Sequence, residues 1–130
     1  METPKQNVVG WFEVPVSDMD RAVKFYETIF DFKLDRQNLG GLEMAWFPWN
    51  MEATGSPGSL IYEPESYKPS ADGVVIYFTA NSGDVSIELA RVERAGGKVL
   101  TEKKQISEEH GYMALLLDSE GNRIALHSRA

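Results

Sequence analysis

Apolar side chains in the first half of the chain form short runs separated by one amphipathic stretch. Residues 8–16 are apolar and β-prone, which predicts a strand, and residues 17–20 carry the polar side chains that begin helices. After them, apolar residues recur at spacings of three and four and predict a helix: Met19, Ala22, Val23, Tyr26, Ile29 and Phe30. Three further strands, separated by turn-forming residues, are predicted at residues 32–36, 42–49 and 59–63.

The second half of the chain follows the same order after a linker at residues 64–72, which contains prolines and serines and shows no periodicity. A β-prone run at residues 73–80 leads through polar residues to an apolar stripe that predicts a helix over residues 85–95. Gly96 and Gly97 then end the helix, because glycine accepts left-handed dihedral angles. Three strands are predicted at residues 98–106, 112–117 and 122–128.

These two halves predict one domain over residues 1–130 of the α+β class, built from two tandem βαβββ modules. Module one covers residues 8–63 and module two covers residues 73–128. Placing residues 11–18 over residues 74–81 matches strand and helix start without a gap, although few letters are identical. An α+β meander without internal symmetry is the alternative.

Composition and charge narrow the classes of partner. The chain has 130 residues, a formal net charge of −7 and no cysteine. An excess of acids repels phosphate backbones, so nucleic acid is not expected as a partner. A chain without cysteine forms neither disulfides nor thiolate sites, which fits a reducing, cytoplasmic location. The polar residues 1–7 and the lack of an apolar run of about 20 residues predict neither a signal peptide nor a membrane span.

Three segments resemble the vicinal oxygen chelate superfamily, which includes glyoxalases, bleomycin-resistance proteins and extradiol dioxygenases. They are residues 9–22 (VGWFEVPVSDMDRA) with Phe25 and Tyr26 after them, residues 95–99 (AGGKV) and residues 118–127 (DSEGNRIALH). The best match is an uncharacterised, glyoxalase-related branch. The resemblance implies a cupped, mostly antiparallel half-barrel sheet with helices outside, commonly completed in a homodimer, with a small molecule bound inside the cup.

Metal-dependent members of this superfamily take four ligands, typically His and Glu, from the first and last strands of each module. In this chain the corresponding positions fall on Trp11, Val74, Ala125 and approximately Ile61. None of these side chains donates a lone pair to a metal, so we expect neither a metal site nor another cofactor.

Polar side chains two residues beyond those positions suggest a displaced site. Glu13, Glu63 and His127 each lie on the same sheet face as a lost ligand position, because side chains alternate with a period of two. A carboxylate beside an imidazole suits general acid/base chemistry, which makes Glu13 and His127 the predicted catalytic pair. The same groups could also hold a divalent metal. Alternatively, His127 is a solvent-exposed strand end and Glu63, before Pro64, is a surface residue.

Aromatic and thioether side chains gather on the first and third strands of module one, where they serve either as core or as an apolar ligand wall. The predicted ligand-binding residues are Trp11, Met44, Trp46, Glu63, Val74, Ile76 and Ala125. Phe47 and Trp49 belong to the same group, and the loop at residues 50–57 is a candidate lid.

Two functions compete on this basis. The first is a small-molecule-binding protein that acts as a metal-independent isomerase or lyase, and the second is a non-enzymatic sequestering protein of bleomycin-resistance type. The net charge of −7 slightly favours a cationic ligand. A metal-dependent glyoxalase or dioxygenase is disfavoured by the residues at the ligand positions.

Overall fold

The computed structural model describes residues 2–130, which form eight strands and three helices. In chain order these elements are β1 (Phe12–Pro15), α1 (Met19–Phe30), β2 (Asp35–Leu39), β3 (Leu42–Trp46), β4 (Gly58–Tyr62), β5 (Tyr77–Thr79), α2 (Val85–Leu89), α3 (Val92–Ala95), β6 (Lys98–Ser107), β7 (Gly111–Leu117) and β8 (Arg123–Ser128). The longest of these helices, α1, has 12 residues, and nothing in residues 2–130 could cross a bilayer as a helix.

The two modules have the same sheet topology. Module one forms a four-stranded sheet in the order β1-β4-β3-β2, and module two forms one in the order β5-β8-β7-β6. The first strand of each module pairs in parallel with the last, and the remaining pairs are antiparallel. Helix α1 packs on β3 and β4, while α2 and α3 pack on the second sheet and contact α1. The predicted α+β class with two βαβββ modules is confirmed.

Helix α1 begins and ends where its sequence signals predict. The Asp18 carboxylate accepts a hydrogen bond from the Arg21 backbone N–H at 3.1 Å and caps the first turn. Asp31 adopts a left-handed conformation with φ of 56°, and its N–H donates to the Glu27 carbonyl. The stripe predicted from the sequence is buried, so packing of this face holds the helix on the sheet.

The second helix differs from the prediction because it is broken into α2 and α3. Asp84 caps α2 by accepting from the Ser86 N–H at 2.9 Å. At Ala90 and Arg91 the ψ angles are −19° and −12°, which are closer to a 3₁₀ turn than to an α-helix. At this break the Arg91 guanidinium donates a hydrogen bond to the carbonyl of Ile29 at 2.9 Å. This bond links the second helical segment to the end of α1.

The backbone hydrogen bonds show that the gap-free overlay of residues 11–18 on residues 74–81 is wrong by one residue. The N–H groups of Val16 and Ala80 donate to the carbonyls of Ile61 and His127, so these pairs are equivalent. Trp11 therefore corresponds to Val75, one residue later than predicted. The cause is the turn before α2, which has two more residues between strand and N-cap than the turn before α1.

The same register moves one predicted ligand position. Ser59 pairs with Glu13 in module one, and Ala125 pairs with Tyr77 at the equivalent place in module two. The last-strand position in module one is therefore Ser59 and not Ile61. The sequence predicted this strand to within one residue but not the ligand position within it, because the loop before the strand has no fixed length.

A buried polar contact joins the modules. The Tyr26 hydroxyl donates to the Asp118 carboxylate at 2.6 Å, and Asn122 Nδ2 donates to the same carboxylate at 3.0 Å. Burial raises the pKa of Asp118 and outweighs the lowering by these hydrogen bonds. Burial and the nearby carboxylate also raise the pKa of Tyr26 well above its ordinary value. One apolar core includes residues of both modules around this contact.

Candidate ligand-binding site

A groove opens where the two modules meet. Its borders include β1 and β5, which are edge strands of separate sheets and are not hydrogen-bonded to each other. The rings of Phe12 and Phe78 lie 5.5 Å apart, and Asn122 Nδ2 donates to the Pro15 carbonyl at 2.8 Å. These contacts hold the two strands near each other, and between them lies a cavity of about 1040 Å³.

Five phenylalanines line this groove, and we call them the phenylalanine cluster: Phe12, Phe30, Phe32, Phe47 and Phe78. Neighbouring rings lie at contact distance, with centroids 5.4 Å apart for Phe47 and Phe78 and 5.1 Å apart for Phe30 and Phe32. Phe12, Phe32 and Phe47 are only partly buried. The cluster is therefore part core and part exposed wall.

Apolar side chains also stand exposed around the mouth of the groove. Trp49 is 46% exposed, Tyr77 is 55% exposed and Val74 is 92% exposed, and all three line the groove. Exposed apolar surface of this extent beside a cavity is typical of a binding site. Residues 53–57 line the same mouth and belong to the loop that the sequence predicts as a lid. The movement of this loop stays a prediction.

Charged side chains are few in the groove. Glu13, Lys68 and Arg123 supply charge, and neutral polar side chains also line it: Asn50, Thr54, Ser56, Ser70, Tyr77, Thr79, Asn81 and Asn122. The Glu13 carboxylate lies beside the Tyr67 hydroxyl and raises its pKa through a hydrogen bond and through its charge. The linker therefore contributes both Tyr67 and Lys68 to this region.

Five of the residues predicted to form the site line this groove: Glu13, Phe47, Trp49, Val74 and Ile76. Trp11 and Trp46 lie elsewhere and pack edge-to-face at 5.7 Å. Met44 and Ala125 are buried but do not belong to the core beneath the helices. Their cross-strand partners, Ile61 and Tyr77, share their sheet faces. The roles predicted for these residues stay predictions, but the structure does not gather them around one cavity.

Glu63 holds the start of the linker. Its carboxylate accepts the backbone N–H groups of Glu65 and Ser66 at 3.1 and 2.9 Å. Hydrogen bonds, first among them one with the Ser66 side chain, lower the pKa of Glu63. The carboxylate predicted to bind ligand is thus engaged in a local turn.

The predicted catalytic pair is not joined. Glu13 lines the groove, whereas His127 does not, and no hydrogen bond connects them within residues 2–130. His127 Nε2 donates to the His110 carbonyl at 2.5 Å, so this nitrogen carries the proton. His127 pairs with Thr79 across strands β8 and β5, and Thr79 lines the groove whereas His127 does not.

Most of the phenylalanine cluster and the position of Arg123 in the groove were not predicted from the sequence. Phe12 lies on the opposite strand face from Glu13 and reads as core, and Phe30 belongs to the apolar stripe of α1. Both side chains line the groove, which is bordered by the edge strands β1 and β5 of the two sheets. The Phe-x-Phe pattern at positions 30 and 32, at the end of a helix, was the available signal.

The four positions that correspond to the metal ligands of the superfamily offer few donor atoms in this chain. Trp11, Ser59, Val75 and Ala125 offer one hydroxyl oxygen and no carboxylate or imidazole. Residues 2–130 also contain no group of three or more His, Asp or Glu side chains arranged to hold a metal ion.

Known proteins of the same architecture were found by comparison. Glyoxalase I from Zea mays, in a mutant form, superposes with a TM-score of 0.70 at 20% identity, over 92% of this chain and 45% of that one. The chain thus spans about half the length of that protein. A glyoxalase/bleomycin resistance protein from Albidiferax ferrireducens superposes with a TM-score of 0.68 at 17% identity, covering 95% and 100% of the two chains.

A third similar structure is TnmS3, an antibiotic binding protein from a Streptomyces species, with a TM-score of 0.65 and 24% identity over 98% of this chain and 100% of that one. At these identities the likeness shows the fold alone. No curated protein matches the sequence. The model of the Glyoxalase/Bleomycin resistance protein/Dioxygenase superfamily, however, matches residues 8–126, and the chain belongs to this superfamily.

Proposed function

We propose that the protein binds a small, largely apolar molecule in the groove between its modules and holds it without covalent chemistry. The observation that carries this proposal is the phenylalanine cluster, whose rings line a cavity of about 1040 Å³. Ligand sites are typically concave, mostly apolar and supplied with a few placed polar groups. Such a protein would sequester its ligand, in the manner implied by the bleomycin-resistance branch of the superfamily.

The chemistry of the rim supports a planar ligand. The partly buried rings of the cluster line the groove and pack on one another at tilted and edge-to-face angles, and aromatic rings of this kind pack well against flat apolar molecules. Trp49, Val74 and Tyr77 would lose much of their exposure beneath such a molecule. The similar protein TnmS3 is an antibiotic binding protein, which is compatible with this proposal.

Binding of this kind needs no metal. The superfamily's metal would be held by residues at positions 11, 59, 75 and 125, and a single hydroxyl among an indole and two aliphatic side chains does not fit a divalent cation. We therefore propose that no divalent cofactor takes part, and no chemical step is derived through one.

The isomerase or lyase alternative requires Glu13 and His127 to act on one molecule. Glu13 faces the groove and meets half of this requirement. His127 is engaged with the His110 carbonyl instead, so it would have to leave that hydrogen bond and turn toward the groove. The sequestering function needs no such rearrangement, and we prefer it for that reason.

We also propose that the protein is a homodimer. The outer edge strands β2 and β6 carry exposed apolar side chains: Leu39, Leu100 and Ile106. Unpaired edges with apolar side chains favour association of strands or sheets from a second copy. Sedimentation at micromolar concentration should give a dimer mass, and a pure monomer would contradict this.

The cytoplasmic location inferred from the cysteine-free composition also stays a prediction.

Obstruction of the groove tests the proposed function. Ala53 lies on the exposed loop at the groove mouth, so Ala53→Trp adds bulk there without disturbing the core. The neutral fluorophore N-phenyl-1-naphthylamine should bind the wild type with one site per chain, and this variant should bind it about tenfold more weakly or worse. Ala71→Trp, also exposed but not part of the groove lining, is the matched control. Equal binding by both variants would refute the groove as the site.

A further inference from the structure

Arg123 is a basic side chain in the groove without an acidic partner. It is the first residue of β8, it lines the groove, and it is partly buried. No carboxylate within residues 2–130 comes within salt-bridge distance of its guanidinium. Its Nε is buried and has no hydrogen-bond acceptor among the described residues. A buried donor of this kind is costly when it stays unpaired.

The absence of a partner contrasts with the composition of the chain. Acidic residues outnumber basic ones by 20 to 13, so an internal carboxylate would be easy to supply. The two acids of the turn just before Arg123 are already engaged. Asp118 accepts from Tyr26 at 2.6 Å, and Glu120 accepts from Arg21 at 2.8 Å. Arg123 is therefore left facing the groove with its charge unneutralised.

A second basic side chain lines the same groove. Lys68, from the linker, uses one of its three donors on the Pro64 carbonyl at 3.0 Å, which leaves two donors for other partners. The amide of Asn122 adjoins Arg123 in sequence and is held in place by the Ser70 N–H and the Pro15 carbonyl. The carboxylate of the groove, Glu13, lies beside Tyr67 and pairs with neither cation.

We propose that the groove recognises a ligand by an anionic group, a carboxylate or sulfonate, carried on a planar apolar body. The guanidinium of Arg123 pairs with the anion, with Lys68 as the second cation, while the body packs on the phenylalanine cluster. A guanidinium fork suits planar and tetrahedral oxyanions, because it donates two parallel hydrogen bonds. This inference rests on the proposed function and specifies its ligand class. It is opposite in sign to the cationic ligand that the net charge of −7 favours.

Two dyes with the same aromatic body separate charge recognition from apolar binding. The first, 8-anilinonaphthalene-1-sulfonate, is N-phenyl-1-naphthylamine with one added sulfonate. We expect the wild type to bind the sulfonate dye about tenfold more tightly than the neutral dye, measured as the ratio of the two dissociation constants from fluorescence titrations. In Arg123→Gln this preference should fall on the order of tenfold or more, since a charge-assisted contact is lost.

Matched variants make the test specific. Arg123→Lys should retain part of the preference, and Lys68→Gln should lower it by a smaller factor than Arg123→Gln. Lys24→Gln removes one positive charge from an exposed position of α1 outside the groove and should leave the preference unchanged. Raising the salt concentration should weaken the sulfonate dye more than the neutral dye.

The outcomes distinguish this inference from the function on which it rests. If both dyes bind equally and Arg123→Gln leaves their ratio unchanged, anion recognition is refuted while the groove remains a binding site. If neither dye binds, or if Ala53→Trp has no effect on either, the proposed function fails and the inference fails with it. An equal loss of preference in Lys24→Gln would assign it to net charge and would also overturn the proposal.

Discussion

Glu120→Gln should lower the free energy of unfolding because this carboxylate joins the last turn of module two to the start of α1. Its side chain is fully buried and accepts the backbone N–H groups of Ser17 and Asp18 at 2.8 and 2.9 Å. It also accepts Nε and Nη2 of Arg21 at 2.8 and 2.9 Å and the Ser119 hydroxyl. Glutamine would remove the charge and place an amide N–H₂ against these donors.

The pKa of Glu120 sets the size of the effect. Burial alone would raise this pKa, but the hydrogen bonds from Arg21, Ser119 and the two backbone N–H groups outweigh it and lower the pKa from 4.5 to about 2. A fall of this size corresponds to about 3 kcal/mol in favour of the ionised form. Arg21 is 53% exposed. Solvent screening of that partner reduces the expected loss to about 2 kcal/mol.

The sign of the pH dependence follows from the lowered pKa. The stabilisation is fully present above pH 4.5, the ordinary value, and is lost as the pH falls from 4.5 toward about 2. The wild type should therefore lose this stability on acidification, whereas Glu120→Gln, which cannot ionise, should not. The difference between the two proteins should shrink between pH 6 and pH 3.

Urea unfolding followed by far-ultraviolet circular dichroism at both pH values measures this difference. Glu108→Gln is the matched control, because Glu108 is exposed in the turn after β6 and makes no side-chain hydrogen bond in the described chain. The reasoning would be refuted if Glu120→Gln unfolded within about 0.5 kcal/mol of the control at pH 6. A difference that stayed constant down to pH 3 would refute the assignment to the carboxylate charge.

Two further predictions concern packing and the predicted catalytic histidine. A Cβ at Gly97 would lie 2.5 Å from the Leu117 carbonyl oxygen. Gly97→Ala should therefore lower the free energy of unfolding by about 1–3 kcal/mol. Gly10→Ala is the control and should change the free energy of unfolding little, because a Cβ at Gly10 meets no atom within 4 Å. Thermal or urea unfolding of both variants checks this. His127→Asn should leave the affinity for N-phenyl-1-naphthylamine within about twofold of wild type, since the ring contacts the His110 carbonyl and not the groove; a tenfold loss would bring His127 back into the site.

Local signals were sufficient wherever the structure depends on neighbouring residues. The cap at Asp18, the apolar stripe of α1 and the glycine at position 96 with φ of 103° define helix ends by interactions within a few residues. Alternation and turn residues likewise predicted the eight strands to within a few residues. The repeated βαβββ order then followed from the sequence, because each element carries its own pattern.

Register and helix continuity were less predictable. Trp11 was paired with Val74 instead of Val75, since a longer turn before α2 leaves no mark in the periodicity. At the break after α2, Arg91 donates a hydrogen bond to the carbonyl of Ile29, a residue 62 positions away. No window of local sequence contains that partner.

The sequence alone determined the α+β class, the two modules, the superfamily resemblance and the presence of Glu13 on an otherwise apolar first strand. Only the tertiary structure decided where a ligand could bind. The groove is a gap between two edge strands, so its walls come from both faces of β1 and from distant segments such as the linker. Periodicity assigns a residue to one face of one strand and carries no information about the space between two sheets. For that reason Phe12 and Arg123 were found in the groove by structure alone, while His127 was found outside it.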